Sequence, residues 1–198
     1  MNKRRLNLKL PTVCIAAALV LGGLTMSGCT TTPPNSDASG QSARAALDHE
    51  VDATLARLYK VVPGSKELIQ RSAGVLVFPS VVGGSFIVGA EYGKGALREG
   101  GRTTGYYSTT AGSLGFQAGG QSKAVIYVFN TREALNEFKA SSGWTVGANA
   151  RVAVAKMGAD GSISTETAKQ PVAAFVLTNV GLEAGAAIGG AKISRITL

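Results

Sequence analysis

Ala124-Val125-Ile126-Tyr127-Val128-Phe129 is the stretch that decides the fold, because all six of its side chains are apolar. A short run of β-branched and aromatic residues that is apolar on both faces predicts a strand at the centre of a sheet. Val172 to Leu177 is a second all-apolar run. A third stretch, Gly74-Val75-Leu76-Val77-Phe78-Pro79, predicts a buried strand that the proline stops. The core is therefore expected to be built on a sheet.

Further strands are predicted where apolar or alternating segments lie between glycines. The candidates are Val81–Ala90, Arg102–Thr110, Ser113–Gln121, Lys123–Asn130, Val146–Val154 and Ala184–Ile196, with a turn at Asp160-Gly161. Short adjacent strands with few helices between them favour an α+β fold. Glycines inside strands allow sharp bends. We therefore expect a curved, largely antiparallel, barrel-like β-sheet with two N-terminal helices and one inserted helix.

Apolar spacing predicts the three helices. A stripe at i, i+4, i+8 and i+11 predicts a helix from Ser42 to Val62, and its members are Leu47, Val51, Leu55 and Leu58. Pro63-Gly64 ends this helix, and Ser65 is expected to cap a short second one that runs to Arg71. Asn130 is expected to cap the third, with Glu133 at capping-box spacing and an apolar side formed by Leu135 and Phe138.

The first 28 residues have the pattern of an export signal. Four basic residues and no acid precede an apolar stretch from Val13 to Leu24, and small residues then lead to Met26-Ser27-Gly28-Cys29. This end resembles a bacterial lipobox, which implies cleavage before Cys29, a diacylglycerol on its thiol and an acyl chain on the new amino group. An uncleaved anchor and an ordinary signal peptide are the alternatives. All three interpretations place the rest of the chain outside the cytoplasm.

Residues 29–41 are expected to form a flexible tether between the lipid and a single domain at 42–198. The segment TTTPPNSDASGQ (30–41) is rich in Thr, Pro and Ser. The residue after Cys29 is Thr30 and not Asp, which resembles the sorting pattern of outer-membrane lipoproteins. We therefore predict an outer-membrane lipid anchor with the domain on the periplasmic side, and exposure at the cell surface as the other orientation.

Composition excludes several classes of function. The 198 residues include one histidine and two cysteines, too few for a two-imidazole site, a cysteine zinc site or a disulfide scaffold. The formal net charge is +8, but residues 1–28 hold four of the 20 basic residues and none of the 12 acidic ones, so their removal leaves +4. Nucleic-acid binding is therefore not expected. The segment 89–95 fails as a phosphate loop, because the spacing is one residue short and no Ser or Thr follows Lys94. We expect no enzymatic activity, no metal and no cofactor.

Motifs in the expected order resemble the SYLF domain family over residues 44–196. They are GVLVFPSVVGGSF (74–86), EYGKG (91–95), GFQAGGQSKAVIYVFN (115–130), TVGANA (145–150) and GLEAG (181–185). The resemblance implies lipid and phosphoinositide binding without catalysis; the actin binding of one fungal branch is not expected of an exported protein. Eukaryotic members are thought to engage membranes through a basic N-terminal helix. In this chain the basic and acidic residues of that helix balance, so it is not the expected membrane surface.

The candidate lipid site is a basic hairpin. Lys94, Arg98 and Arg102 surround a Gly100-Gly101 turn, and Gly93 and Gly95 flank the lysine. Basic side chains and exposed glycine N–H groups are expected to hold phospholipid head groups, with acyl chains in a groove. The alternative for the three charges is that they only keep a hairpin soluble. The function expected is non-enzymatic phospholipid binding by a lipoprotein that is anchored at Cys29. The alternative function is an envelope structural or interaction module that binds a protein partner or itself.

Overall fold

The computed structural model describes residues 36–84, 88–114, 121–149, 151–156, 163–183 and 188–198. The chain divides into two units, 1–33 and 34–198, and every described residue belongs to the second. Cys29 lies outside the described residues. The helices are α1 (Ser36–Val61), α2 (Ser65–Arg71), α3 (Arg132–Ala140) and α4 (Thr165–Lys169). The strands are β1 (Gly74–Gly84), β2 (Val88–Glu99), β3 (Arg102–Leu114), β4 (Gln121–Phe129), β5 (Trp144–Thr145), β6 (Val152–Val154), β7 (Val172–Thr178), β8 (Gly181–Leu182) and β9 (Lys192–Ile196).

The strands form one curled, half-barrel sheet. Their order is β5-β9-β3-β2-β1-β4-β7-β6, and β8 pairs with β7. The described pairings are antiparallel except for β6 with β7. The apolar stretch 124–129 lies in β4, between β1 and β7, with all six side chains buried. The predicted α+β class with a curved, largely antiparallel sheet is confirmed.

The sheet is covered on both faces. On the face that we call outer, α1 and α2 place Val51, Leu58 and Leu68 against the sheet. On the inner face, α3 and the curled end of the sheet enclose an aromatic cluster of Phe78, Tyr107, Tyr127, Phe129, Phe138 and Trp144. Neighbouring rings in this cluster have centroids 4.9 to 6.3 Å apart, the range in which tilted and edge-on pairs attract each other. Burial on both sides explains why residues 124–129 of β4 are all apolar.

The strand boundaries at β1 and β3 differ from the prediction. Pro79 does not end β1, because pairing with β2 resumes at Ser80 after a register shift and continues to Gly84. A proline is tolerated at such a bulge, where no ladder N–H is needed. The predicted strand Val81–Ala90 is wrong, since its first residues end β1 and its last begin β2. Similarly, β3 runs on to Leu114, so the strand predicted from Ser113 begins inside it, and 115–120 lie outside the described residues.

Of the described residues in the predicted strand Val146–Val154, only Val152–Val154 form a strand, β6, and β5 ends one residue before the predicted range. Gly147 has φ +89°, a left-handed conformation that interrupts the extended backbone and favours glycine. The flanking strands serve different neighbours, because β5 pairs with β9 whereas β6 pairs with β7. The predicted turn at Asp160-Gly161 lies outside the described residues. Of the predicted strand Ala184–Ile196, the part Lys192–Ile196 forms β9, and α4 is an additional short helix.

The helix ends also differ from the prediction. α1 begins at Ser36, six residues earlier than expected, and its first turns lie against the end of the chain, where Arg44 Nε donates to the Leu198 carbonyl at 2.9 Å. Gly64, with φ +82°, is the N-cap of α2, whereas the Ser65 hydroxyl is buried and donates to the Val62 carbonyl at 2.7 Å. Thr131 caps α3 by accepting from the Ala134 N–H. The apolar stripe of α1 is confirmed as its buried side.

Candidate lipid-contact surface

The basic residues of the predicted hairpin site do not form one cluster. Successive side chains of β2 alternate between faces, so Lys94 and Arg98 lie on the outer face and Gly93 and Gly95 on the inner face. Arg102 pairs with Glu99 across the turn and therefore shares the inner face. Lys94 is exposed, and it is separated from Arg98 by four residues of strand, about 13 Å.

Arg98 docks α1 onto the sheet. Its Nη2 donates to Asp52 Oδ1 at 2.8 Å and to the Asp48 carbonyl at 3.2 Å, and its side chain is only 13% exposed. Asp48 also accepts from the Thr103 hydroxyl at 2.8 Å and from the Tyr106 hydroxyl at 3.1 Å. The guanidinium is thus committed to two acids of α1, and its charge is largely balanced there.

The two predicted glycines are buried beneath the β1 bulge. A Cβ on Gly95 would overlap the Val77 carbonyl oxygen and lie 2.6 Å from Phe78 Cδ1. A Cβ on Gly93 would lie 2.8 Å from the Ser80 carbonyl oxygen. Gly93 is paired with β1 and β3 on either side, whereas Gly95 is paired with β3 and lies opposite the β1 bulge. Close backbone approach therefore explains why these positions are glycine.

Glu99 fastens α3 on the inner face as Arg98 fastens α1 on the outer face. Lys139 Nζ lies 2.8 Å from Glu99 Oε1, the Thr104 hydroxyl donates to the same oxygen at 2.7 Å, and Arg132 Nη1 lies 4.0 Å from Oε2. Burial raises the pKa of the Glu99 carboxyl, but the hydrogen bonds and positive charges outweigh burial and hold that pKa below its usual range.

A second ion pair lies on the inner face near the other end of the strands. Lys123 Nζ is 3.0 Å from both carboxylate oxygens of Glu91, and the pair spans β1 above Gly83, where a Cβ would lie 2.9 Å from Glu91 Cγ. Burial, with the Glu91 charge, raises the pKa of the Tyr127 phenol. Lysine and glutamate partner each other here, so the pair does not present a free charge to a ligand.

A groove of about 500 Å³ lies between α1, β3 and β9. Its lining includes Arg44, Asp48, Tyr106 and Leu198. These groups already bind one another, because Arg44 donates to Leu198 and Tyr106 donates to Asp48. The groove is therefore polar and internally satisfied, which does not suit an acyl chain.

The outer face carries an exposed apolar pair that the sequence analysis missed. Val82 of β1 and Tyr92 of β2 are direct cross-strand partners, 53% and 45% exposed. Lys94 lies two positions along from Tyr92 on the same face, and Lys192 of β9 is exposed in the same row of the sheet, across Thr110. We call Val82, Tyr92, Lys94 and Lys192 the outer patch. The alternation of side chains along β2 is enough to place Tyr92 and Lys94 on one face. Only the pairing register shows that Val82 and Lys192 share that face.

No acidic residue occurs among the described register neighbours of the outer patch. In its two rows they are Ser80, Ser108, Thr110, Ser122, Thr145 and Ser194. The outer patch is thus an apolar aromatic pair flanked by positive charge. Within the described ranges, no helix is long and apolar enough to cross a membrane, and no group of three or more His, Cys, Asp or Glu side chains is placed to hold a metal ion.

Part of the chain matches a known protein family. Residues 110–197 match the family model described as Ysc84, Las17-binding protein actin regulator. The match covers β3 from Thr110 to the end of β9, and it supports a SYLF-type domain. No curated protein matches the chain.

Proposed function

We propose that this chain is a lipid-anchored outer-membrane protein whose SYLF-type domain binds anionic phospholipid on the periplasmic side and catalyses no reaction. The lipobox resemblance at Cys29 supports the anchor, and the match over 110–197 supports a binding module. The actin partner in the name of the matched family is not part of the proposal, because the predicted export signal directs the domain out of the cytoplasm.

The observation that carries lipid binding is the outer patch. Tyrosine has an apolar ring and a polar hydroxyl, a combination suited to the boundary between lipid and water. A lysine near an anionic leaflet contributes about 1 kcal/mol, so Lys94 and Lys192 together contribute about 2 kcal/mol, roughly 30-fold in affinity. Lys94 is retained from the predicted site, whereas Arg98 and the two glycines have structural contacts instead.

The test is photocrosslinking of the full chain in cells. Tyr92 is replaced by p-benzoylphenylalanine, and the matched control places the same group at Glu137, an exposed position on α3. We expect irradiation to add the mass of a phospholipid at position 92 and not at position 137. Protein adducts at position 92 without lipid adducts would support the interaction-module alternative and reject lipid binding by the outer patch.

The anchor is tested separately. We expect labelled palmitate to appear on the chain and to be lost in the variant Cys29→Ala, which should leave the outer-membrane fraction. The anchor would be rejected if Cys29→Ala fractionated like the parent chain, or if the label were absent from the parent chain. Lipid binding by the outer patch would still be decided by the crosslinking experiment alone.

A further inference from the structure

Four basic side chains lie on the inner face around Glu99 and Tyr107, and we call them the basic rim: Arg102, Arg132, Lys139 and Arg195. Two belong to α3 and lie 4.0 and 2.8 Å from the Glu99 carboxylate. Arg102 shares the face of Glu99 as its cross-strand partner. Arg195 is the partner of Tyr107, whose ring packs on Phe138 of α3 with centroids 4.9 Å apart. Three separate elements thus bring the four cations to one end of the inner face.

The basic rim carries more positive charge than its surroundings balance. Glu99 is 18% exposed, whereas the side chains of Lys139 and Arg132 are 44% and 66% exposed. Arg102 and Arg195 are also exposed, and in the part of the chain that the structure describes neither donates a hydrogen bond or forms an ion pair.

The remaining acids of α3 do not supply the missing balance. At 100° per residue, Glu137 lies about 140° and 160° around the helix from Arg132 and Lys139, and Glu133 about 100° and 120°. Both acids therefore project away from the side of α3 that meets Glu99. Four cations against one carboxylate leave a net charge of about +3 at the basic rim.

We propose that the basic rim binds a phosphoryl anion of two or more negative charges. A guanidinium offers paired N–H donors that match phosphoryl oxygens, and Arg102 and Arg195 have these donors free of described partners. This site lies on the opposite face of the sheet from the outer patch and does not depend on the proposed function. The phosphoryl group has two possible sources, a lipid head group or a free phosphate compound.

Calorimetric titration of the detergent-solubilised full chain with inorganic pyrophosphate tests the site. The double variant Arg102→Gln/Arg195→Gln removes the two cations without described partners, and Lys66→Gln/Lys169→Gln removes two exposed charges from α2 and α4 as the matched control. We expect binding about tenfold weaker in the first variant, because two charge-assisted contacts are lost, and within about twofold of the parent in the second. Circular dichroism checks that all forms are folded.

The outcomes separate the two sources and the two proposals. Competition by phosphatidic acid vesicles for the pyrophosphate site would assign a head group, and absence of competition would assign a free anion. The site would be overturned if both double variants lost the same amount of affinity for pyrophosphate, or if Arg102→Gln/Arg195→Gln bound it as tightly as the parent chain. It would also be overturned if the parent chain did not bind pyrophosphate. None of these results bears on Tyr92, so the basic rim and the outer patch fail independently.

Discussion

Replacing Gly95 by alanine tests the packing of the β1 bulge on β2. The new methyl group would overlap the Val77 carbonyl oxygen and lie 2.6 Å from Phe78 Cδ1, and Phe78 is fully buried. The Val77 carbonyl is part of a paired strand and the Phe78 ring is packed in the aromatic cluster, so neither group has room to move away. Overpacking of this kind costs about 1–3 kcal/mol and sometimes more, and we expect the upper end of that range.

Gly112→Ala is the matched control for this change. Nothing lies within 4 Å of a Cβ at Gly112, which also lies inside a strand. An alanine there is expected to stabilise by up to about 1 kcal/mol, because glycine loses more backbone entropy on folding. Gly95→Ala should lose about 3 kcal/mol of free energy of unfolding and Gly112→Ala should gain about 1 kcal/mol, so the two variants should differ by about 4 kcal/mol.

Urea unfolding, followed by the fluorescence of Trp144, measures the difference. Trp144 is the only tryptophan in the chain and is 2% exposed, so its emission reports loss of the inner core. For a chain of this size, a loss of about 3 kcal/mol corresponds to a Tm lower by about 6–12 °C. Stability of Gly95→Ala within about 0.5 kcal/mol of the parent, the scatter of neutral surface changes, would refute the close approach of β1 to β2.

Two further predictions concern the ion pairs that fasten the helices. Arg98→Ala should lower the free energy of unfolding by about 2 kcal/mol through lost charged hydrogen bonds, and hydrogen exchange should quicken in α1 and not in α3, with Arg71→Ala as the exposed control. The pKa of Glu99 is lowered in the folded chain, so its stabilisation is complete above its unfolded pKa and is lost as the pH falls through the folded value. Glu99→Gln should therefore be less stable than the parent at pH 7, and its deficit should shrink in urea titrations as the pH is lowered below the ordinary glutamate pKa; a deficit that stays the same as the pH falls would contradict this assignment.

Sequence reasoning predicted the parts of the fold that rest on local periodicity. β4 is apolar on both faces because helices or curled strands cover each side, and that requirement is visible in six consecutive letters. The stripe of α1 is visible for the same reason. The bulge at Pro79 was not predictable, since a proline inside a strand is read as a stop unless the partner strand can accommodate it, here by glycines at 93 and 95.

The candidate site was harder to predict because it depends on long-range pairing. Arg98 pairs with acidic residues of α1, of which Asp52 is 46 residues away in the sequence. No residue close to Arg98 in the sequence indicates this pairing. Side chains alternate between the two faces of β2, and Arg102 shares the face of its cross-strand partner Glu99, so Lys94 and Arg102 lie on opposite faces although the sequence groups them. Val82 and Tyr92 are ten positions apart, and only the register of β1 with β2 makes them neighbours.

Contact between the outer patch and anionic lipid is measured most directly by fluorescence quenching in vesicles. The full chain carrying Tyr92→Trp is reconstituted with phospholipids brominated on their acyl chains, with and without phosphatidylglycerol. The parent chain supplies the background of buried Trp144, and Glu137→Trp supplies an exposed position on the opposite face, on the side of α3 that is turned away from the basic rim. We expect the indole introduced at position 92 to be quenched in vesicles that contain phosphatidylglycerol, and the one at position 137 not to be quenched. Absence of quenching at 92, or equal quenching at both positions, would contradict lipid contact by the outer patch.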